Sequence, residues 1–131
     1  MEKKTYPDLI NVQFSVKTLV AACHGRAWNN GWWHNPATGE AAKRPVPELL
    51  CLVHSEISEA LEGFRKGLKD DHLPDRDMLE VELADAIIRI CDMAGGYGLD
   101  LAGAMADKLA YNDDRADHKP ENRAKEGGKK I

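Results

Sequence analysis

No stretch of this chain is apolar enough to suggest a membrane span. The longest strongly apolar run, Leu49-Leu50-Cys51-Leu52-Val53, is far short of the ~20 residues such a helix needs. Met1-Glu2-Lys3-Lys4 leads into no apolar segment of signal-peptide type, so a cytoplasmic protein with no membrane partner is expected. Cysteine is scarce: Cys23, Cys51 and Cys91 are odd in number and form no C-x-x-C pair. That speaks against a disulfide framework and a zinc knuckle, and each thiol is expected to be a small buried hydrophobe. Mixed ligation of zinc by Cys23, His24, His34, Cys51 and His54 matches no structural spacing. Aromatics are few (three Trp, three Tyr, two Phe), which leaves the core to Leu, Ile, Val, Ala and Met. There is no Gly-rich phosphate loop of the P-loop type.

What is present is a chain of 131 residues, 43% hydrophobic and 31% charged, suited to one domain with one core. Its net charge of −4 is unevenly spread. Residues 115–131 carry six Lys or Arg against three Asp or Glu, leaving −7 on residues 1–114. An acidic body argues against nucleic acid as a partner and suits cations, whereas the basic end suits phosphates.

The periodicity is helical throughout, and the spacing predicts an all-α, four-helix arrangement, completed by oligomerisation because the apolar stripes are broad for so short a chain. A first helix is expected over 8–29 behind Pro7 and Asp8, and a second over 47–66 behind Pro45-Val-Pro47. A third is expected from Asp75, as N-cap, to Tyr97, stopped by Gly98, and a fourth from Asp100 to about Arg115. The loop from Asn30 to Gly39 is dense in Gly, Pro and Asn, and Ala116–Ile131 reads as an extended basic tail.

The most informative feature is an internal repeat. Glu56-Ile-Ser-Glu59-Ala-Leu61 in the second helix and Glu82-Leu-Ala-Asp85-Ala-Ile87 in the third share one order of acid, aliphatic, small, acid, Ala, aliphatic. At about 100° per residue, Val53, Ile57, Ala60 and Phe64 centre one apolar stripe, and Leu79, Leu83, Ala86, Ile87 and Ile90 centre the other. The four acids border these stripes, so packing stripe on stripe would gather them at one rim. Only Asp85, four residues before Arg89, has a helical basic partner. Unpaired acids beside a core call for a cation, and all-carboxylate ligation favours Mg²⁺ or Mn²⁺. A di-iron bundle would need Glu-x-x-His, which does not occur. Magnesium commonly links carboxylates to substrate phosphates.

On the fourth helix Lys108, Tyr111, Asn112 and Arg115 fall along one side and offer a triphosphate two cations and an amide. An ordinary solvated face with Asp114 or Asp117 pairing locally is the plain alternative. Trp32 and Trp33 are the candidate base-stacking surface, with core or oligomer packing the alternative. His24 and His34 are weaker candidates for substrate contact, and His54 has no assigned role.

Glu56-x-x-Glu59, a gap of 22 residues, Glu82-x-x-Asp85 and then Lys108-x-x-Tyr111-Asn112-x-x-Arg115 resemble the MazG-like nucleoside triphosphate pyrophosphohydrolases of the all-α NTP pyrophosphatase superfamily. The resemblance spans roughly residues 47–115 and extends to Gly127-Gly128-Lys129-Lys130, similar to the ending of small members. It implies an all-α catalytic domain over residues 1–115, followed by the tail 116–131. It also implies metal-dependent hydrolysis of a (deoxy)nucleoside triphosphate to the monophosphate and pyrophosphate. Mg²⁺ would be held by Glu56, Glu59, Glu82 and Asp85, and the phosphates contacted by Lys108, Asn112 and Arg115. Glu59 is the candidate base, with Trp32, Trp33 and Tyr111 near the substrate. A homodimer or homotetramer is implied. A purine deoxynucleotide is the expected substrate. A dCTP or dUTP pyrophosphatase, and a non-catalytic helical nucleotide-sensing or interaction module, remain the competing readings.

Overall fold

The computed structural model describes residues 2–131 and is all-α, as the periodicity predicts. Helix α1 spans Leu9–Asn29, α2 Val46–Lys66, α3 Met78–Tyr97 and α4 Leu101–Asp114. A 3₁₀ turn at Ala116–His118 and a short helix α5 at Pro120–Arg123 follow. Among the described residues the extended pairing is limited to two isolated bridges, His34 with Ala41 and Lys69 with Asp77. No described helix is long and apolar enough to cross a membrane.

The helix ends follow local chemistry. The Asp8 carboxylate accepts from the Asn11 backbone N–H at 2.9 Å, and Asp100 does the same for Gly103 at 2.9 Å. Helix α2 starts behind Pro45, with proline again in its first turn, and α2 and α3 both stop at a left-handed glycine, Gly67 and Gly98.

Helix α3 begins two residues later than expected, with Asp77 at its N-cap position. Asp75 is not its cap, because residues 70–77 form a closed loop instead. Buried Asp70 accepts from the backbone of His72 and Leu73, the Asp70 N–H donates to the Arg76 carbonyl, and Lys69 pairs with Asp77 at 2.5 Å. The expected extended tail is also folded back in part. Asn122 donates from its side chain to the Ala116 carbonyl at 2.6 Å, Lys119 bonds the Asp113 carbonyl, and Arg123 reaches the carbonyls of Lys129 and Lys130. The cysteines depart from expectation at one position: Cys91 is buried and Cys23 half-buried, but Cys51 is exposed, on the side of α2 turned away from α3.

Two compact units make up the chain: Thr18–Leu99, and a second built from the chain up to Lys17 together with Asp100–Ile131, with α1 running through the division. In Thr18–Leu99 the central element is the antiparallel α2–α3 pair. Of the apolar stripes expected from the sequence, its seam keeps the small members Ala60 and Ala86 and leaves most of the large ones outside. Glu56, Ala60 and Gly63 of α2 meet Glu82, Ala86 and the start of α3, while Ile57, Leu61, Phe64, Leu83 and Ile87 stay exposed. Small residues explain the choice. A methyl group on Gly63 would stand 2.8 Å from Met78 Cβ, so the backbones approach more closely than large aliphatics in the seam would permit. Helix α1 approaches α3 at one point, where His24 Cβ lies against Gly95.

Candidate functional site

Because the seam runs through Glu56 and Glu82, these two acids of the repeat sit inside the helix pair, while Glu59 and Asp85 stay nearer its rim. Carboxylate oxygens of Glu56, Glu59 and Glu82, one from each, all lie within 4.8 Å of one another. Glu56 and Glu82 are only 6% and 8% exposed, whereas Glu59 is open to solvent. Asp85, one turn beyond Glu82, is half-buried beside this group without belonging to it, and its carboxyl still feels the Glu56 charge.

Burial and like charge make this an electrostatically strained arrangement. Burial first, then a hydrogen bond to Glu56 and the charges of Glu59, Glu56 and Asp85, push the Glu82 carboxyl up to about 7. Glu82 therefore keeps a proton near neutral pH and shares it with Glu56. Burial alone would push Glu56 up too, but hydrogen bonds from Arg89 and Glu82 outweigh it and hold Glu56 below the ordinary carboxylate range. Asp85 is raised by burial and by Glu56, with Arg89 opposing. Arg89 does not serve Asp85 as its i+4 helical neighbour, the pairing the sequence suggests. Its Nε reaches across the seam to Glu56 Oε1 at 2.6 Å.

Beside the carboxylates opens a cleft of about 810 Å³, lined in part by Glu56, Asp85, Arg89, Asp92, Arg44 and Trp32. Buried Asp92 is a hub at its wall. It accepts from Trp33 Nε1 at 2.8 Å and from Arg44 Nη1 at 3.1 Å, and bonds His24 Nδ1 at 2.9 Å. Arg44 also lies over the Trp33 ring at 4.8 Å, and near Trp32 at 5.8 Å. The two tryptophans thus differ. Trp33 is held by Asp92 and packed edge-on against His24 and Tyr97, whereas Trp32 is 62% exposed on the cleft. His34 stacks on Trp28 with ring centres 4.5 Å apart.

The fourth-helix candidates belong to the other unit, where they form a cluster of their own. Lys108 Nζ sits 4.8 Å from the Tyr111 ring centre and the Arg115 guanidinium 5.7 Å from it. Arg115 makes a two-pronged pair with Asp117 at 2.9 and 2.5 Å. Asn112 Oδ1 is buried and has no hydrogen-bond partner.

Arg44 and Asp92 were not singled out by the sequence, and Arg89 only as a helical partner for Asp85. Asp92 carried a faint signal, since it lies seven residues after Asp85 and so on the same side of α3. Arg44 carried none, being brought in by a loop.

The donor set fits a hard divalent cation. It offers three oxygen ligands from rigid helices, two of them buried, and a proton on Glu82 that a cation would displace. No family model matches this chain, and no curated protein or solved structure matches it either.

Proposed function

We propose that the protein is a metal-dependent (deoxy)nucleoside triphosphate pyrophosphohydrolase that releases a monophosphate and pyrophosphate. The observation that carries this reading is the convergence of Glu56, Glu59 and Glu82, the first of which lines an adjoining cleft large enough for a nucleotide. The motif resemblance to MazG-like enzymes supplies the reaction. Glu56, Glu59 and Glu82 would hold Mg²⁺ or Mn²⁺, with Asp85 adding charge beside them. The ion supplies charge neutralisation and Lewis acidity toward a phosphoryl oxygen.

Glu59, the exposed carboxylate of the three, takes the proton from the attacking water. The water oxygen bonds to the α-phosphorus, the bond from the α-phosphorus to the bridging oxygen breaks, and pyrophosphate leaves with that oxygen and the electron pair. Trp32 offers the base an open aromatic face at the cleft, which favours the larger ring of a purine deoxynucleotide. Trp33 serves instead to fix Asp92 and, through it, Arg44. Ile57, Leu61 and Phe64 of α2 and Leu83 and Ile87 of α3 are exposed, and a second copy of the chain covers them in this reading.

The decisive variant is Glu59→Gln. It removes the proton acceptor and keeps the shape of the side chain, so turnover falls at least about 100-fold while the circular dichroism spectrum is unchanged. Turnover unaffected by this substitution would take Glu59 out of the mechanism.

A further inference from the structure

Among the described residues Arg89 is the one cation in contact with the carboxylate group, and its geometry is that of an occupant with a second position available. It holds buried Glu56 through Nε alone, at 2.6 Å, and neither of its Nη groups makes a hydrogen bond among the described residues. The side chain is 38% exposed against 8% for Glu56, and it lines the cleft. The planar fork of a guanidinium is made for two-pronged binding, yet here it is used at one corner only. A dication on the carboxylates would need the Glu56 oxygen that Arg89 now holds. A guanidinium against a dication is strongly repelled, so the two cannot share that oxygen.

We propose that Arg89 is the resident counter-ion of the carboxylate group. It yields Glu56 to a divalent cation and then turns its guanidinium into the cleft to hold a phosphate of the ligand. The stem can make this turn without backbone movement, because Arg89 sits mid-helix and its guanidinium is partly in solvent. Arg89 would thereby keep the group neutral enough to fold when the cation is absent, and couple cation binding to anion binding. This inference rests on the carboxylates being a cation site, as proposed above.

The test uses the full chain, with Mn²⁺ alone as the first probe and the Mn²⁺ complex of inorganic triphosphate as the second, both followed by calorimetry. Arg89→Gln removes the competitor, so Mn²⁺ alone binds about tenfold tighter than to the unaltered protein, the equivalent of one charge-assisted hydrogen bond. The same variant binds the triphosphate complex about tenfold more weakly. Arg89→Lys keeps the charge, so its Mn²⁺ affinity stays close to that of the unaltered protein. It also shows that any loss in the glutamine variant is not one of folding. If the unaltered protein binds Mn²⁺ and Arg89→Gln binds it equally or more weakly, the displacement is refuted. Unchanged triphosphate binding in the glutamine variant refutes the second position. Absence of Mn²⁺ binding in every form refutes the cation site itself.

Discussion

Replacing Glu82 by glutamine should make the metal-free protein more stable at pH 8, although it deletes a central residue of the site. In the folded chain the Glu82 carboxyl titrates at about 7, against 4.5 ordinarily, chiefly because it is buried and surrounded by Glu56, Glu59 and Asp85. A folded-state value above the unfolded one means that ionisation opposes folding. Below pH 4.5 the group is protonated in both states and costs nothing. The penalty grows between pH 4.5 and about 7 and is complete above that. At about 1.4 kcal/mol per pH unit, the distance from 4.5 to about 7 amounts to about 3 kcal/mol.

Glutamine keeps the size and the hydrogen bond to Glu56 without the charge, so the variant escapes this penalty. Urea unfolding in a chelator should show the two proteins close at pH 5 and separated by about 3 kcal/mol at pH 8, the variant being the more stable. Added Mn²⁺ should then raise the stability of the unaltered protein far more than that of the variant, since one ligand is gone. A variant no more stable at pH 8, or a difference independent of pH, would refute the picture of crowded, unneutralised carboxylates.

Other substitutions probe the surroundings. Trp32→Ala should weaken nucleotide binding about tenfold in a fluorescence titration and leave the melting temperature unchanged, because the ring faces the cleft and holds nothing in place. Asp92→Ala should cost about 3–5 kcal/mol in chemical denaturation, since His24, Trp33 and Arg44 would lose a shared buried acceptor. Leu61→Glu, on the exposed apolar face, should turn an oligomer into a monomer in light scattering without unfolding it; a monomer in the unaltered protein would contradict the second copy.

The helices were legible because their ends are written locally. Pro45 and Pro47 start α2, Gly67 and Gly98 end α2 and α3, and Asp8 and Asp100 cap α1 and α4 with their own carboxylates. The late start of α3 was not legible, since it depends on Asp70 closing a loop that leaves Asp77, its side chain paired with Lys69, at the N-cap position. The repeat around Glu56 and Glu82 announced that the acids would meet, and three of them do.

How they meet was misread in part, because hydrophobic periodicity weights the large members of each stripe over Ala60 and Ala86, the members the seam keeps. The seam was chosen by Ala60, Gly63 and Ala86, whose value lies in letting backbones approach. Pairings between distant positions left no local trace either. Arg89 with Glu56 is separated by 33 residues and Arg44 with Asp92 by 48, and no window along a helix contains both partners.

The central claim is that the carboxylate group and its cleft cleave a nucleoside triphosphate between the α- and β-phosphates. The most direct measurement is product analysis of the full chain with each of the eight common NTPs and dNTPs, with Mg²⁺ or Mn²⁺ and with a chelator, resolving pyrophosphate from orthophosphate. Monophosphate and pyrophosphate in equal amounts, formed only with the metal and fastest with a purine deoxynucleotide, is the predicted result. Orthophosphate as the product, or no turnover of any nucleotide with either metal, would contradict it.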